Sequence, residues 1–408
     1  MAENLVGIKK IQPIHFKLKL TSENFFYILL GLIWANNTFV NYVRYIMIIT
    51  PVISDIRLFI ENFVLLIVLI PSLVYISKHI DLRVIPVYLI IIMVYLTNFF
   101  VFPENQEALK DNLVPFLFKA LPLIFVGMSI DLKKHYKLLY YISLFSIIVE
   151  FIRVLTDPVN MEGGDMHSSY LLLPHVSMVI VTTFSKKNIL NIVTSILGIF
   201  TIIAYGTRGP ILCILLLVVV YIIVFKKFNK HKLLFFSIIV LSILIGFLFE
   251  QIIDIISDLV QKLGMSTRIL DMFLSGDIAE SSGRENLQAQ LLTAISQNLY
   301  GYGIAGDRAI VGTYAHNILI EFWVSYGVII GSVLLLIIGF FIVRTLFIRG
   351  KNPIFEDGFI LALICPCFIK LFMSGSYLTE PFLFLCIGLC ITENKKVKFA
   401  IRKKTGKF

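Results

Sequence analysis

Apolar runs of about 20 residues, separated by short polar segments, recur along the whole chain and constrain its fold more than any other feature. A helix of that length crosses the hydrocarbon core of a bilayer. Because 58% of the 408 residues are hydrophobic and 15% are charged, a soluble domain would not bury this much apolar surface. The unbroken runs also argue against barrel strands, which alternate polar and apolar residues. The sequence therefore predicts an all-α, polytopic membrane protein.

Twelve runs are long and apolar enough to be predicted as membrane spans. They lie at about residues 24–49, 58–77, 84–103, 112–130, 138–156, 169–184, 188–205, 210–225, 233–250, 318–343, 355–373 and 380–393. The first and the tenth are long enough to tilt or break. The chain then divides into four parts, which are nine spans in 1–250, a large external loop in 251–315, three spans in 316–394 and a basic tail in 395–408.

The charges of the polar segments set the predicted orientation. If the N-terminus is cytoplasmic, the segments on that side carry 25 of the 36 lysines and arginines. The opposite segments, such as "PENQEALKD" and "SGSYLTE", are acidic or neutral. Because basic segments stay in the cytoplasm, we expect both termini inside and the long loop outside. The net charge of +10 is then a signal of topology and does not indicate nucleic-acid binding.

The large external loop is predicted to contain two amphipathic helices. "QIIDIISDLVQKLG" and "RENLQAQLLTAISQNLY" each place apolar residues on one helical stripe. Such helices lie on the membrane surface or pack on the helical bundle. The following "GYGIAG" has the glycine spacing of a dinucleotide site but no preceding strand, so we predict a tight turn there.

Two arginines on the predicted outer face are candidates for binding an anion. Arg208 lies in the short turn "GTRGP", and Arg284 begins the second loop helix. A guanidinium forms paired contacts with phosphate oxygens, and a helix N-terminus favours negative charge. The alternative roles are a lipid-headgroup anchor for Arg208 and a simple surface residue for Arg284.

A histidine and two polar neighbours stand at the head of the tenth run. His316 titrates near neutral pH when unperturbed, so it is a candidate general base. Asn317 can hold a hydroxyl or the imidazole, and Glu321 is the nearest carboxylate in sequence. A purely structural histidine at the start of a helix is the alternative.

Further charged residues in or near the spans are weaker candidates. We assign Arg308, Lys119 and Lys370 to substrate binding, because intramembrane charges are costly and often functional. Glu150 and Arg153 are three residues apart and are predicted to pair with each other. The five cysteines all lie in apolar runs, which favours a role as small core residues; we predict no cofactor and no metal.

Three segments, taken in order, resemble the O-antigen polymerase and O-antigen ligase superfamily of bacterial envelope proteins. They are "YGTRGP", "SGRENLQAQLLTAISQNLYGYG" and "HNILIEFWVSYGVIIG". The last fits the ligase-type pattern of His-Asn, nine residues and Gly, here ending at Gly327. Its second glycine, Gly331, is more widely spaced than in the pattern, and Gln288 or a neighbour stands where many relatives carry Trp.

The resemblance implies a fold similar to the C-type, lipid-dependent glycosyltransferases. It also implies oligosaccharides on undecaprenyl diphosphate as substrates at the outer face of the bacterial cytoplasmic membrane, with membrane lipid, a chain-length regulator and a flippase as partners and no nucleic acid. Arg208 and Arg284 would then stabilise the diphosphate leaving group, and His316 would act on the acceptor hydroxyl.

Two reactions and one transport function remain open at the level of sequence. A polymerase for O-antigen or capsule transfers the glycan onto another lipid-linked repeat unit, whereas a ligase transfers it onto lipid A-core. A polysaccharide flippase or transporter also fits many spans with buried lysines. Transporters often contain matched halves, and no internal repeat is evident here. We therefore favour the polymerase.

Overall fold

The computed structural model describes residues 22–49, 70, 85–156, 166–186, 188–205, 207–225, 262, 284–350 and 358–405. Every regular element in these ranges is helical, in agreement with the predicted all-α class. The predicted spans 58–77 and 233–250 and the first loop helix lie outside the described residues, apart from Ile70 and Lys262.

The described ranges contain fourteen α-helices, which we number in chain order. They are α1 Ser22–Ile49, α2 Ile85–Val101, α3 Gln106–Leu113, α4 Leu123–Ser129, α5 Leu132–Thr156, α6 Met166–Ser185, α7 Ile189–Ala204, α8 Arg208–Phe225, α9 Arg284–Gln297, α10 Gly306–Val311, α11 Ile318–Tyr326, α12 Val328–Gly350, α13 Gly358–Ile364 and α14 Pro381–Thr405. Short 3₁₀ or π turns join some of them, at Pro103–Asn105, Val114–Ala120, Cys365–Ile369 and Lys370–Phe372.

Four helical runs in this part of the chain are long and apolar enough to cross a membrane by length and composition. They are Pro103–Ser129, Leu132–Thr156, His167–Ser185 and Val328–Phe347. Shorter apolar helices occur at Phe25–Asn36, Ile85–Val101, Ile189–Ala204, Gly209–Val224, Phe359–Phe372 and Pro381–Asn394. The structure is thus that of a helical membrane protein, and the total of twelve spans stays a prediction.

Close backbone packing joins α4 to α14. A Cβ added to Gly127 would lie 2.0 Å from the carbonyl oxygen of Leu385, and one added to Gly388 would lie 2.0 Å from that of Ile124. Each glycine therefore faces the backbone of the other helix. Small residues at helix interfaces allow this approach in membranes, where van der Waals packing replaces the hydrophobic effect as the driving force.

A buried charge pair links helices in the bundle as the sequence predicted. Arg153 Nε lies 3.0 Å from Glu150 Oε2 on α5, and both side chains are almost fully buried. The hydroxyl of Tyr205 donates to Glu150 Oε2 at 2.5 Å and accepts from Arg153 Nη2 at 2.5 Å. The ion pair and the two hydrogen bonds of Tyr205 offset part of the cost of burying these charges.

Two polar segments that lie outside the predicted apolar runs are helical in the structure. The "PENQEALKD" segment forms a 3₁₀ turn and most of α3, because Leu109 is fully buried and its carbonyl accepts from the hydroxyl of Tyr95 at 2.6 Å. At the C-terminus, α14 continues through much of the predicted basic tail to Thr405. In the first segment, burial of Leu109 therefore outweighs the polar composition.

The tenth apolar run, for which the sequence allowed a break, is divided into α11 and α12. Gly327 separates them at φ +77° and ψ 164°, a conformation that side chains other than glycine rarely adopt. The chain folds back so closely that a Cβ on Gly331 would lie 2.6 Å from the carbonyl oxygen of Phe322. His316 therefore precedes a short separate helix and does not open a continuous span.

The packing of α4 on α14 predicts the effect of one added methyl group. Gly127→Ala or Gly388→Ala inserts a Cβ into opposing backbone and should cost about 1–3 kcal/mol or more in stability. Gly339→Ala is the matched control, because a Cβ there meets nothing within 4 Å. Thermal unfolding in detergent should show lower midpoints for the first two variants alone; equal midpoints for all three would contradict this packing.

Candidate active site

The candidate site is built around a strained histidine at the head of α11. His316 has φ +55°, a left-handed conformation that is uncommon for residues other than glycine, although histidine adopts it more often than most. Its Nδ1 atom is buried and makes no hydrogen bond to any of the described residues. Backbone strain and an unsatisfied polar atom are both features that concentrate at functional sites. Asn317 caps α11 by accepting a hydrogen bond from the backbone N–H of Leu319 at 2.9 Å.

A buried aspartate holds the strained segment in place. Asp307 is fully buried at the start of α10, and its Oδ2 accepts from the backbone N–H of Ala315 at 2.9 Å. Its Oδ1 accepts from the side chain of Arg308, also at 2.9 Å. Burial raises the pKa of Asp307, while Arg308 and the Ala315 amide favour its charged form. The residue before His316 is therefore fixed by a charge-assisted hydrogen bond.

Arg308 joins three parts of the chain that are distant in sequence. Its Nη1 lies 2.9 Å from Asp307 Oδ1 and 3.4 Å from Glu321 Oε1, and its Nη2 donates to Ser376 Oγ at 2.7 Å. Both carboxylates are buried, with side-chain exposures of 0% and 1%. A single guanidinium thus connects α10, α11 and the segment before α14.

The segment 373–377 contacts the site from the opposite side. Ser376 donates a hydrogen bond to Glu321, whose other oxygen accepts from the backbone N–H of Tyr377 at 3.1 Å. The carbonyl oxygen of Met373 accepts from Arg284 Nη1 at 2.9 Å. Gly375 has φ +92°, which lets the segment turn between these two contacts. One short segment therefore fixes both Glu321 and Arg284.

Arg284 acts electrostatically on His316. Burial, and then the positive charge of Arg284, lower the pKa of His316 to about 4. The imidazole is therefore neutral at pH 7 and able to accept a proton or a hydrogen bond. Its ring lies against that of Tyr314, with the two centroids 4.0 Å apart. The guanidinium carbon of Arg308 is 5.9 Å from the centroid of the same tyrosine ring.

The "GTRGP" turn approaches the site through Tyr170 of α6. A Cβ on Gly209 would lie 1.9 Å from the Tyr170 hydroxyl, so a larger residue there would require Tyr170 to move. Thr207 and Ser169 are joined by a hydrogen bond of 2.5 Å between their hydroxyls. The Tyr170 hydroxyl is also within electrostatic reach of Arg284. Tyr170 therefore contacts the turn that carries Arg208 and lies within electrostatic reach of Arg284 at the start of α9.

Tight glycine turns hold α9 against α11 and α12, as predicted for "GYGIAG". Gly301 and Gly303 have φ values of +91° and +83°. A Cβ on Gly301 would lie 2.5 Å from the backbone nitrogen of Gly327. The backbone N–H of Tyr302 donates to the carbonyl of Val324 at 2.6 Å. The prediction of a backbone turn is confirmed here.

Four of the predicted residues form two interacting pairs, and a fifth, Asn317, caps a helix. Arg308 and Glu321 contact each other directly, and Arg284 is close enough to His316 to change its pKa. Asn317 serves as the helix cap, so its amide oxygen is already engaged. The roles of all five in substrate binding or catalysis stay predictions.

The remaining predicted residues are less well connected to this cluster. Arg208 begins α8 beside the Tyr170 contact, and its side chain lies outside the described atoms. Lys370, for which the sequence offered no partner, forms an ion pair with Glu380, and its Nζ lies 5.5 Å from the Tyr170 ring centroid. Lys119 is half-buried in the π turn Val114–Ala120, and its predicted role is untested.

Sequence reasoning missed several residues of the cluster. Asp307, Tyr314, Ser376 and Tyr377 all contact predicted residues, yet none belongs to the three motifs that carry the resemblance. The one available signal was "SGSY" between two apolar runs, since a Ser-Gly-Ser sequence favours an irregular segment with exposed hydroxyls and backbone amides.

The Arg308 cluster predicts a large loss of stability when its cation is removed. Arg308→Met leaves Asp307 and Glu321 buried without a counter-charge, and breaking such a pair costs about 3–5 kcal/mol. Thermal unfolding in detergent should show a clear decrease for this variant. Adding Glu321→Gln should recover part of the loss, whereas Lys110→Met, at an exposed cation of α3, should have little effect. An unchanged midpoint for Arg308→Met would refute the role of the cluster.

Comparison with known proteins bears on the segment that contains this site. Residues 193–336 match the family model described as O-antigen ligase. The match begins in α7 and ends in α12, so it includes Arg208, Arg284 and His316. No curated protein and no solved structure matches the chain. The match supports the resemblance to the O-antigen polymerase and ligase superfamily over this part of the chain.

Proposed function

We propose that the protein is a glycosyltransferase that transfers a glycan from undecaprenyl diphosphate onto a second lipid-linked repeat unit, at the outer face of the cytoplasmic membrane. The observation that carries this proposal is the meeting of three predicted motifs. Arg284 lies within electrostatic reach of both His316 and Tyr170, and Tyr170 contacts the "GTRGP" turn at Gly209. A guanidinium suited to binding an anion thus acts electrostatically on a neutral imidazole.

The reaction requires one bond to form as another breaks. The oxygen of an acceptor hydroxyl forms a bond to the anomeric carbon of the donor glycan. The bond between that carbon and the diphosphate oxygen breaks, and its electron pair stays on the lipid diphosphate. The hydroxyl proton passes to a base. Negative charge therefore develops on the diphosphate, and positive charge fixed beside it lowers the barrier.

Arg284 and Arg208 would supply that positive charge. Arg284 begins α9, where the free backbone N–H groups of a helix N-terminus also favour an anion. Its side chain is already positioned by the carbonyl of Met373, so little ordering is needed when a substrate binds. Arg208 holds the corresponding position at the start of α8. In this proposal the two guanidinium groups stabilise the diphosphate without a metal.

His316 is suited to act on the acceptor hydroxyl. Its pKa of about 4 keeps the ring neutral in the free protein, so it can accept the proton. Part of that low value comes from the charge of Arg284. When a diphosphate binds Arg284, the two charges offset each other and the pKa of His316 rises. Binding of the donor would therefore strengthen the base at the moment it is needed.

A ligase is the second candidate reaction. The family description names O-antigen ligase, and the His316 segment fits the ligase-type spacing up to Gly327. In that reaction the chemistry at the donor is the same and the acceptor is lipid A-core. The choice between the two reactions depends on the acceptor alone, so one assay with both acceptors separates them.

The proposed roles predict loss of transfer in three variants. Purified protein in nanodiscs is incubated with undecaprenyl-diphosphate-linked repeat units and EDTA, and the products are resolved on a gel. Wild type should form a ladder of repeats. Arg208→Ala, Arg284→Ala and His316→Ala should each reduce the rate by at least about 100-fold, as expected for removal of charge stabilisation or of a general base.

Lys110→Ala is the control for a general loss of positive charge, because Lys110 is exposed on α3 and is assigned no role in the reaction. It should retain the wild-type rate. A ladder that appears only after lipid A-core is added would assign the ligase reaction. Full activity of the three variants would remove these residues from the mechanism.

The pKa of His316 predicts an unusual pH profile. The imidazole loses its ability to accept a proton as the pH falls through its pKa, so kcat/KM should stay high until the pH falls towards about 4. The acidic limb of kcat should lie at higher pH, because bound diphosphate offsets the charge of Arg284. Rates measured from pH 4 to 8 test the acidic limbs of kcat/KM and of kcat. An acidic limb of kcat/KM near pH 6.5 would contradict the role of His316 as the base.

A further inference from the structure

A cavity of about 470 Å³ lies next to the candidate active site and takes no part in the mechanism above. Its volume is within the range of about 300–1,000 Å³ that is common for small-molecule sites. Its lining comes from two segments, with Glu104, Glu107, Ala108, Asp111 and Asn112 on one side and Arg308, Ala309, Gly312, Thr313 and Tyr314 on the other.

The two walls of the cavity are held in register by buried amides. The Nδ2 of Asn105 donates to the carbonyl oxygens of Tyr302 and Ile304, at 2.7 Å and 3.1 Å. The backbone N–H of Ile304 donates to Asn98 Oδ1 at 2.8 Å. Because these bonds join the two segments directly, the cavity is pre-formed and does not depend on a ligand for its shape.

The lining is rich in groups that bind hydroxyls. Glu104, Glu107 and Asp111 recur at a helical spacing, so their carboxylates lie along one face of the turn and of α3. Carboxylates accept hydrogen bonds from hydroxyls, and the amide of Asn112 both donates and accepts. Within the described residues, no three His, Cys, Asp or Glu side chains are grouped closely enough to hold a metal ion. These groups therefore match a polyol better than a cation.

The charge of the cavity selects among possible sugars. Three carboxylates line it with a single guanidinium, that of Arg308, which is already paired with Asp307 and Glu321. The local field is therefore negative, and a phosphate or a sugar acid is disfavoured there. The anionic diphosphate of a donor belongs instead beside Arg284.

The position of Tyr314 connects the cavity with the reacting groups. Its side chain lines the cavity, and its ring lies against that of His316 with centroids 4.0 Å apart. A sugar held in the cavity is thus one side chain away from the proposed base. We propose that this cavity is the subsite for the acceptor saccharide and that it takes a neutral or an amino sugar. This assignment rests on the proposed glycosyltransferase function.

Binding of free sugars tests the subsite independently of catalysis. Protein in phosphatidylcholine nanodiscs is titrated at pH 7 with glucosamine, glucose and glucuronate and with the corresponding galactose series, and binding is followed by saturation-transfer NMR. These sugars share a ring and differ in charge. Amino and neutral sugars should bind at least about tenfold more tightly than the sugar acids. The carboxylates of the cavity attract an ammonium group and repel a second carboxylate.

The variant Glu107→Gln/Asp111→Asn removes two charges from the wall and should reduce that discrimination to about twofold. Lys110→Gln is the matched control, because it alters a charge on the same helix outside the lining and should leave the ratio unchanged. Equal binding of acids and amines by the wild type, no binding by either series, or full discrimination in the double variant would each overturn the proposal.

A second readout separates this proposal from the proposed function. With a lipid-linked repeat unit as donor, the double variant should lower the ratio of sugar transfer to donor hydrolysis by about tenfold, since water needs no saccharide subsite. Charge discrimination without any transfer by wild type would support the saccharide cavity and refute the glycosyltransferase. Transfer with an unchanged ratio, and without charge discrimination, would refute the cavity alone.

Discussion

The arrangement of α10, α11 and the segment at Ser376 depends on one guanidinium held between two buried carboxylates. Arg308 contacts Asp307 and Glu321, and through them α10, α11 and the segment at Ser376 are joined. Burying a carboxylate without a partner is costly, and the arginine contacts both of these groups. Because Asp307 also holds the Ala315 amide, the same network sets the backbone at His316.

A second constraint comes from the glycines that allow close approach of backbones. Gly327 ends α11 in a conformation that excludes a side chain, and Gly301 packs directly against it. The turn at Gly327 directs α12 away while α11 stays among the polar groups of the site. Glu321 therefore lies among hydrogen-bonding groups. In an unbroken helix it would lie in the interior of an apolar span. Gly327, which ends the His-Asn, nine residues, Gly pattern, thus also separates the two helices.

Much of the helical framework follows from the sequence, because apolar periodicity and length are local properties. The helices α5, α6, α7 and α8 lie close to their predicted ranges, and the pair Glu150 and Arg153 is formed as expected. The features that the sequence did not indicate fall where tertiary contacts outweigh composition. The polar segment before α4 is helical because Leu109 is buried, and Lys370 finds Glu380 although the two are ten residues apart.

The site shows the same division. The residue types at Arg284 and His316 are enough to predict an anion-binding group and a base, since guanidinium and imidazole have those properties in any protein. The positions of Arg284 and His316 relative to their surroundings could not be predicted. They depend on contacts with Met373 and Tyr314, which belong to none of the three motifs. By itself the sequence determined a helical membrane protein that resembles the O-antigen polymerase and ligase superfamily, together with its main chemical groups. The folded chain alone established the strain at His316, its lowered pKa and the acidic cavity, because burial and electrostatic contact depend on residues distant in sequence.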